Sequence, residues 1–388
     1  MDLKRIQESL RREKLDGWLF FDHHVRDALA YRVMGVTPPG HVTRRWYYFI
    51  PAEGEPLGLV HRIESKVINA APGEKIAYSS WREQQDGIAK LLGGAKRVAM
   101  QYSPRCAIPY VAMVDAGTVE LVREFGVEVV SSAELIQEFE ACLSSAQFES
   151  HLEAGRRMDA IRAGAFQFIG GQLASGVDEI TVADWMRAEY KKAGLVTDSG
   201  PVVAVNGHAG DPHYEPTRAT SAPIRMGDFV LIDMWAKLDR PGCVYYDITW
   251  TGYCGDAPER ILRVFEIVRD ARDLAVETVV KAVAAGRVIR GFEVDDAARA
   301  HIRAMGFADQ FVHRTGHSIG EEVHGSGANM DNLETHDERR VMPGALFSVE
   351  PGIYLDDFGV RAEVNVLMDS VKARTTGEVQ RELVRIAR

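Results

Sequence analysis

Arg225-Met226-Gly227-Asp228-Phe229-Val230-Leu231-Ile232-Asp233 has an echo far along the chain: Val341-Met342-Pro343-Gly344-Ala345-Leu346-Phe347-Ser348-Val349-Glu350. In both stretches an acid stands six residues beyond a glycine, at the end of an apolar run. A short run rich in β-branched and aromatic residues, opened by glycine, reads as a buried strand. A second strand follows each and carries another acid: Asp247, fourteen residues after Asp233, and Glu363, thirteen after Glu350. Two hairpins on one plan predict a pseudo-symmetric domain with four carboxylates directed at its centre.

Strand side chains alternate between faces. Phe229, Leu231, Asp233 and Trp235 therefore share one face, and Tyr245, Asp247 and Thr249 share a face of the return strand. The Lys237–Cys243 segment, with Pro241-Gly242, supplies the turn. A continuous strand over 360–368 would put Arg361 and Glu363 on one face. Taken singly, each acid is most simply solvated or paired with an arginine such as Arg361. Four together among Leu, Ile, Phe and Trp are costly to bury and repel one another, so they demand protons, arginines or cations.

Histidines lie close to these acids. Residues 313–325 read His313-Arg314-Thr315-Gly316-His317-Ser318-Ile319-Gly320-Glu321-Glu322-Val323-His324-Gly325, a glycine-threaded segment that predicts a tight bend rather than a helix. His213 lies in the loop Asp211-Pro212-His213-Tyr214-Glu215-Pro216, just before the first hairpin. His23, His24, His41, His61 and His336 have no such neighbours and read as ordinary surface or core residues. One imidazole with four carboxylates is a hard, oxygen-rich donor set. It suits two divalent metal ions, Mn²⁺ or Co²⁺ foremost with Zn²⁺ or Fe²⁺ as alternatives, and not a thiolate-type structural zinc.

Outward from this core, the 388 residues exceed one ordinary domain. Apolar runs at 17–21, 46–50, 98–100 and 127–130 alternate with helical periodicity, giving a mixed α/β domain over residues 1–144. From 145 to 388, helices over about 145–173, 181–192, 257–285 and 294–305 alternate with the strands. The fold class is thus two-domain α/β, with an α+β second domain. Lys and Arg total 46 against 56 for Asp and Glu, a net charge of −10, which excludes bulk binding to nucleic acid or an anionic membrane surface. Four cysteines without a C-x-x-C pair read as free thiols. No apolar run approaches the ~18–20 residues of a membrane span, and the acidic, amphipathic N-terminus is not a signal peptide. A soluble, cytoplasmic protein is expected.

Leu231-Ile232-Asp233, Asp247-Ile248-Thr249-Trp250-Thr251, His313–Gly320, Val349-Glu350-Pro351-Gly352-Ile353-Tyr354 and Gly359-Val360-Arg361-Ala362-Glu363 together resemble the pita-bread metallopeptidase family. That family includes methionine aminopeptidase, aminopeptidase P, prolidase and their metal-free relative creatinase. The N-terminal domain is similar to that of the prolidase, aminopeptidase P and creatinase branch. The resemblance implies that Asp233 chelates one metal, that His317 and Glu350 hold the other, and that Asp247 and Glu363 bridge them. It implies substrate-contacting roles for His213 and His324, support of the bridging carboxylates by Arg361, and a homodimer.

The implied reaction is hydrolysis of an amide C–N bond in a short peptide, before proline, with Glu350 as general base. A hydrolase or lyase of a small non-peptide substrate, as in creatinase, is the alternative, and an inactive scaffold a third reading. Departures from the family pattern are the long Asp233–Asp247 interval, Trp250 where arginine is usual, Gly325 after His324, and Val364 after Glu363. Every presumed ligand is kept, so the departures bear on substrate.

Overall fold

Gly17–Asp22 and Trp46–Pro51 pair antiparallel at the middle of a six-stranded sheet. Leu57–His61 and Glu74–Tyr78 extend it on one side, Arg97–Met100 and Glu128–Ser131 on the other. The Trp18 and Phe20 side chains pack with Ile6 and Leu10 on one face, and Leu19 and Phe21 with Ile88 and Leu91 on the other. Both faces are covered, which is why the strand is an unbroken apolar run instead of an alternating one. Sequence periodicity gives no sign of Glu74–Tyr78, because this edge strand is half charged and half exposed. The computed structural model describes residues 1–387. The chain divides into two compact units, Met1–Glu140 and the part from Ala141 onward.

In the second unit Phe229–Leu238 pairs antiparallel with Tyr246–Cys254, in a register that sets Asp233 opposite Thr249 and Trp235 opposite Asp247. This aspartate hairpin is the middle of a sheet flanked by Val202–Val205 and Val384–Ala387. One face, with Val230, Ile232 and Met234, packs on the helices Ser145–Gln172 and Glu179–Lys192. The opposite face, with Phe229 and Leu231, joins a core filled by the helices Glu259–Ala284 and Gly291–Ala304 and by Phe347, Val349 and Val360. Period-two alternation within the strand therefore separates two apolar layers, and Asp233 and Trp235 follow the second.

The glutamate hairpin departs from expectation. The strand anticipated over 360–368 is broken in two: Gly359–Arg361 pairs with Gly352–Tyr354, and Val364–Met368 pairs with Leu346–Val349. Both breaks fall at the acids. Pro351 has no N–H to give a ladder. The Glu350 N–H goes to the Thr315 carbonyl (2.7 Å) and the Glu363 N–H to Thr249 of the aspartate hairpin (3.2 Å). Each glutamate is thereby turned out of its own hairpin and tied to another element.

The His317 segment is irregular, as its glycines require, and is stitched to the glutamate hairpin by the Ser318–Phe347 bridge and by His317 O accepting from Ser348 N–H (2.8 Å). At Gly316 a Cβ would come within 1.9 Å of the Ser348 carbonyl oxygen, so only glycine allows the approach. No helix among the described residues is long and apolar enough to cross a membrane. Replacing Gly316 with alanine should force this crossing apart at a cost of about 2–4 kcal/mol. A clear drop in the denaturation midpoint is expected, and an unchanged midpoint would contradict the close contact.

Candidate metal centre

The two hairpins and the glycine-rich crossing deliver side chains from far-apart stretches to one buried place. Asp247, His317 and Glu363 each offer a ligand atom within 4.8 Å of the others, and all three residues are buried. His317 Nε2 lies 3.5 Å from Asp247 Oδ2 and 3.3 Å from Glu350 Oε1. Its other ring nitrogen, Nδ1, is 3.1 Å from the Ser318 carbonyl, which fixes Nδ1 as the donor and leaves Nε2 with a lone pair facing the carboxylates.

Glu350 and Asp233 flank these three. The Ser348 hydroxyl donates to Glu350 Oε1 at 3.1 Å, and Arg361 Nε is 3.8 Å from Glu350 Oε2. Asp233 accepts from Arg361 Nη2 at 2.5 Å and from the Thr249 hydroxyl at 2.9 Å. That hydroxyl also lies 3.0 Å from Glu363 Oε2 and accepts from Arg361 Nε at 3.1 Å. Thr249 is thus a hub that the motif reading did not single out. Its signal was present: it lies two residues beyond Asp247 on the same strand face. Arg361 Nη1 donates to the Tyr354 hydroxyl at 2.9 Å, and His313 Nε2 lies 2.7 Å from that same hydroxyl.

The charges do not balance. Burial, then the neighbouring Asp233 and Glu350, hold the Asp247 carboxyl well above the ordinary carboxylate range. Burial, then Asp247, Glu350 and Asp233, do the same to Glu363. Arg361 is the buried cation of the group. Burial opposes its charge, but Tyr354, Asp233 and Glu350 more than offset that and keep it positive. The imidazoles supply no charge near neutral pH. Burial lowers His317, and pushes His324 down to about 4 and His313 down to about 3.

Glu363 Oε1 is buried and has no hydrogen-bond partner among the described residues. A carboxylate oxygen left bare beside two more buried acids and an imidazole lone pair is the arrangement a divalent cation satisfies. The residues present fit a metal ion. Among the described residues, Arg361 is the arginine hydrogen-bonded to these acids, and its single charge does not balance them.

The remaining sequence-based candidates separate. The His324 ring meets His317 edge-on, with centroids 4.4 Å apart, and the residue is exposed. His213 is exposed on its loop, where its main-chain N–H donates to Asp211. Among the described residues no hydrogen bond or ion pair joins its side chain to the acids. His208, five residues earlier and unremarked in the sequence, is instead held by the buried carboxylate of Glu179 at 2.9 Å and stacks on Tyr214.

Residues 149–370 match the model of metallopeptidase family M24. Among curated proteins, a putative Xaa-Pro aminopeptidase of Mycoplasma pneumoniae is 32% identical over 209 residues, covering 52% of this chain and 53% of that protein. The chain thus spans about half the length of that relative. A probable dipeptidase PepE of Mycobacterium tuberculosis is 25% identical over 346 residues, covering 86% of this chain and 84% of its own. Among solved structures, dipeptidase PepE from Mycobacterium ulcerans superposes with a TM-score of 0.73 at 22% identity, covering 100% of this chain and 97% of that one. That likeness concerns the fold, and it agrees with an α/β two-domain chain of the pita-bread kind. The family match runs over more than half of the 388 residues and encloses both hairpins and the histidine crossing between them, so this chain belongs to metallopeptidase family M24.

Proposed function

We propose that the protein hydrolyses the amide C–N bond of a short peptide, before proline, with two divalent metal ions at the Asp247–His317–Glu363 site. The observation that carries this reading is the partnerless Oε1 of Glu363 inside a buried group of acids served by one arginine. The proline preference is supported by the names of relatives, the Xaa-Pro aminopeptidase above and a 30% identical Xaa-Pro dipeptidase of Pyrococcus furiosus, and by nothing in the acids themselves.

In this reading Asp233, Asp247, His317, Glu350 and Glu363 would hold the ions. When bound, the ions neutralise the carboxylates, polarise the substrate carbonyl and lower the pKa of the attacking water. Glu350, oriented by the Ser348 hydroxyl, would take the proton of an attacking water on a carboxylate oxygen and return it to the leaving nitrogen. His324, whose pKa is pushed down to about 4 where its ring packs against His317, would donate a ring N–H to the carbonyl oxygen as negative charge grows there. Arg361 fixes Asp233 and Thr249, and so the spacing of the two hairpins. The homodimer expected from the resemblance is retained as part of the proposal, and a monomeric mass in light scattering would contradict it.

Elemental analysis with a panel of Xaa-Pro dipeptides on Mn²⁺-, Co²⁺- and Zn²⁺-loaded protein tests the reading. Bound metal with turnover is expected; metal with no peptide turnover would favour a small non-peptide substrate, and no metal an inactive scaffold or a metal-free enzyme of the creatinase kind. Glu363→Ala should abolish metal occupancy, whereas His324→Ala should keep the metal and lower kcat about 10²–10³-fold. Full occupancy in the first variant, or an unaltered rate in the second, would remove that residue from its role.

Metal binding should also expel protons. Asp247 and Glu363, raised in the cation-free protein, keep protons at a pH where ordinary carboxyls, with pKa values about 4, have lost them. A cation binds the carboxylate form alone, so affinity rises with pH and protons are released on binding. Calorimetric titration with Mn²⁺ at pH 6, in two buffers of different ionisation enthalpy, reads that release directly. Equal heats in both buffers would contradict it.

A further inference from the structure

Beside the metal centre lies an acid that the mechanism does not use. Trp235 stands directly across the aspartate hairpin from Asp247, and paired residues project to the same face. The Trp235 indole N–H donates to Asp198 Oδ1 at 2.9 Å. Asp198 belongs to the segment leading into the Val202–Val205 strand and is exposed. Its main-chain N–H faces the Tyr245 hydroxyl, and its charge acts on Tyr245, Asp247 and His324. An indole, a phenol and a carboxylate therefore meet at the edge of the site, on the side where the exposed His324 also lies.

The corner is built rather than incidental. Gly200 sits at φ +68°, and a Cβ there would come within 2.8 Å of the Trp235 ring. Only glycine lets this segment press on the indole while keeping the left-handed backbone. Arg187 Nε donates to the Gly200 carbonyl at 3.1 Å, and the Thr197 hydroxyl to the Ser199 carbonyl at 2.6 Å, which secures both sides of Asp198. Yet Asp198 is not neutralised. Among the described residues no Lys, Arg or His forms an ion pair with it, and its Oδ2 accepts no hydrogen bond. The nearby Lys237 ammonium forms no ion pair with Asp198; it lies over the Tyr245 ring, 4.9 Å from the centroid, and donates to the Glu321 carbonyl, so that ring already carries a cation.

A carboxylate fixed by an indole N–H on one oxygen, with the other free of hydrogen bonds and no cation paired to it, is a receptor for an alkylammonium group. We propose that Asp198, held in place by the Trp235 indole N–H, binds the ammonium of the residue before the scissile bond and so sets substrate preference. This rests on the peptidase reading above. The ammonium comes either from the substrate's free N-terminus or from a basic side chain at that residue, and the chemistry is the same for both.

Binding of single amino acids separates this proposal from the peptidase reading, because it requires no turnover. The full-length, metal-loaded protein and its Asp198→Asn and Asp198→Glu variants are titrated calorimetrically with L-norleucine, L-lysine and N-acetyl-L-norleucine. An asparagine keeps an oxygen for the Trp235 N–H, so the first variant removes the charge alone. Expected for the unmodified protein is binding of at least one ammonium-bearing ligand about tenfold or more tighter than N-acetyl-norleucine, which has no ammonium, with the difference lost in Asp198→Asn and restored in Asp198→Glu. Equal binding of norleucine and lysine assigns the site to the N-terminus; preference for lysine assigns it to the side chain. The proposal is overturned if the acetylated ligand binds as well as the others, if Asp198→Asn keeps the discrimination, or if none of the three binds. Failure of the peptidase reading would look different: the ammonium preference would stand while every peptide in the panel stayed intact.

Discussion

The physical constraint behind this structure is the mutual repulsion of acids held out of water. Ligand oxygens of Asp247 and Glu363 lie within 4.8 Å of each other. Two full charges at that distance repel by about 3 kcal/mol even at an effective dielectric of about 20. Asp233 and Glu350 add to the imbalance, and Arg361 offsets one charge. Protonation, which the raised pKa values of Asp247 and Glu363 express, relieves the repulsion, but it leaves Glu363 Oε1 with nothing to bind. A divalent cation relieves the repulsion and satisfies the oxygen together, and so accounts for more of the geometry than protonation does.

The hairpins meet this constraint in different ways despite their common plan. Phe229–Leu238 and Tyr246–Cys254 remain continuous, so Asp233 and Asp247 reach the site by simple strand alternation. The glutamate hairpin breaks at both acids, and the freed Glu363 N–H bonds to Thr249 across the interface. The kink costs ladder hydrogen bonds and gains a direct main-chain link between the two halves. Thr249 then serves both: its carbonyl takes the Glu363 N–H, and its hydroxyl bridges Asp233, Glu363 and Arg361. The pseudo-symmetry lies in the placement of acids, and the asymmetry lies in how the backbone delivers them.

Legibility in the sequence followed the same division. The aspartate hairpin was readable because alternation is a local rule, and Phe229, Leu231, Asp233 and Trp235 obey it. The kink was not, because a lone Pro351 does not tell whether a hairpin ends there or continues after a break. Thr249 and Tyr354 were visible within motifs, yet their hydrogen bonds to Arg361 depend on tertiary contacts that spacing does not encode. His213 was singled out by its neighbours in sequence, whereas the carboxylate that organises its loop, Glu179, lies on a helix with no motif around it. Edge strands such as Glu74–Tyr78 escaped for a simpler reason: exposed backbone needs no apolar pattern.

Asp198 shows why chemistry and preference are written so differently in a chain of this kind. The ligand set must converge from separate strands, so each member is bound to a periodic, apolar context that a reader can detect. A residue that selects substrate need only stand at the rim, and there a short exposed segment suffices. Its one structural demand is rigidity, met here by Gly200 against Trp235 and by the Arg187 and Thr197 contacts. Because Trp235 lies across from Asp247, that rim is fastened to the same hairpin that carries Asp233 and Asp247. Under the proposed function, changes in the Thr197–Gly200 segment would alter which substrate is bound while leaving the acids of the hairpin in place.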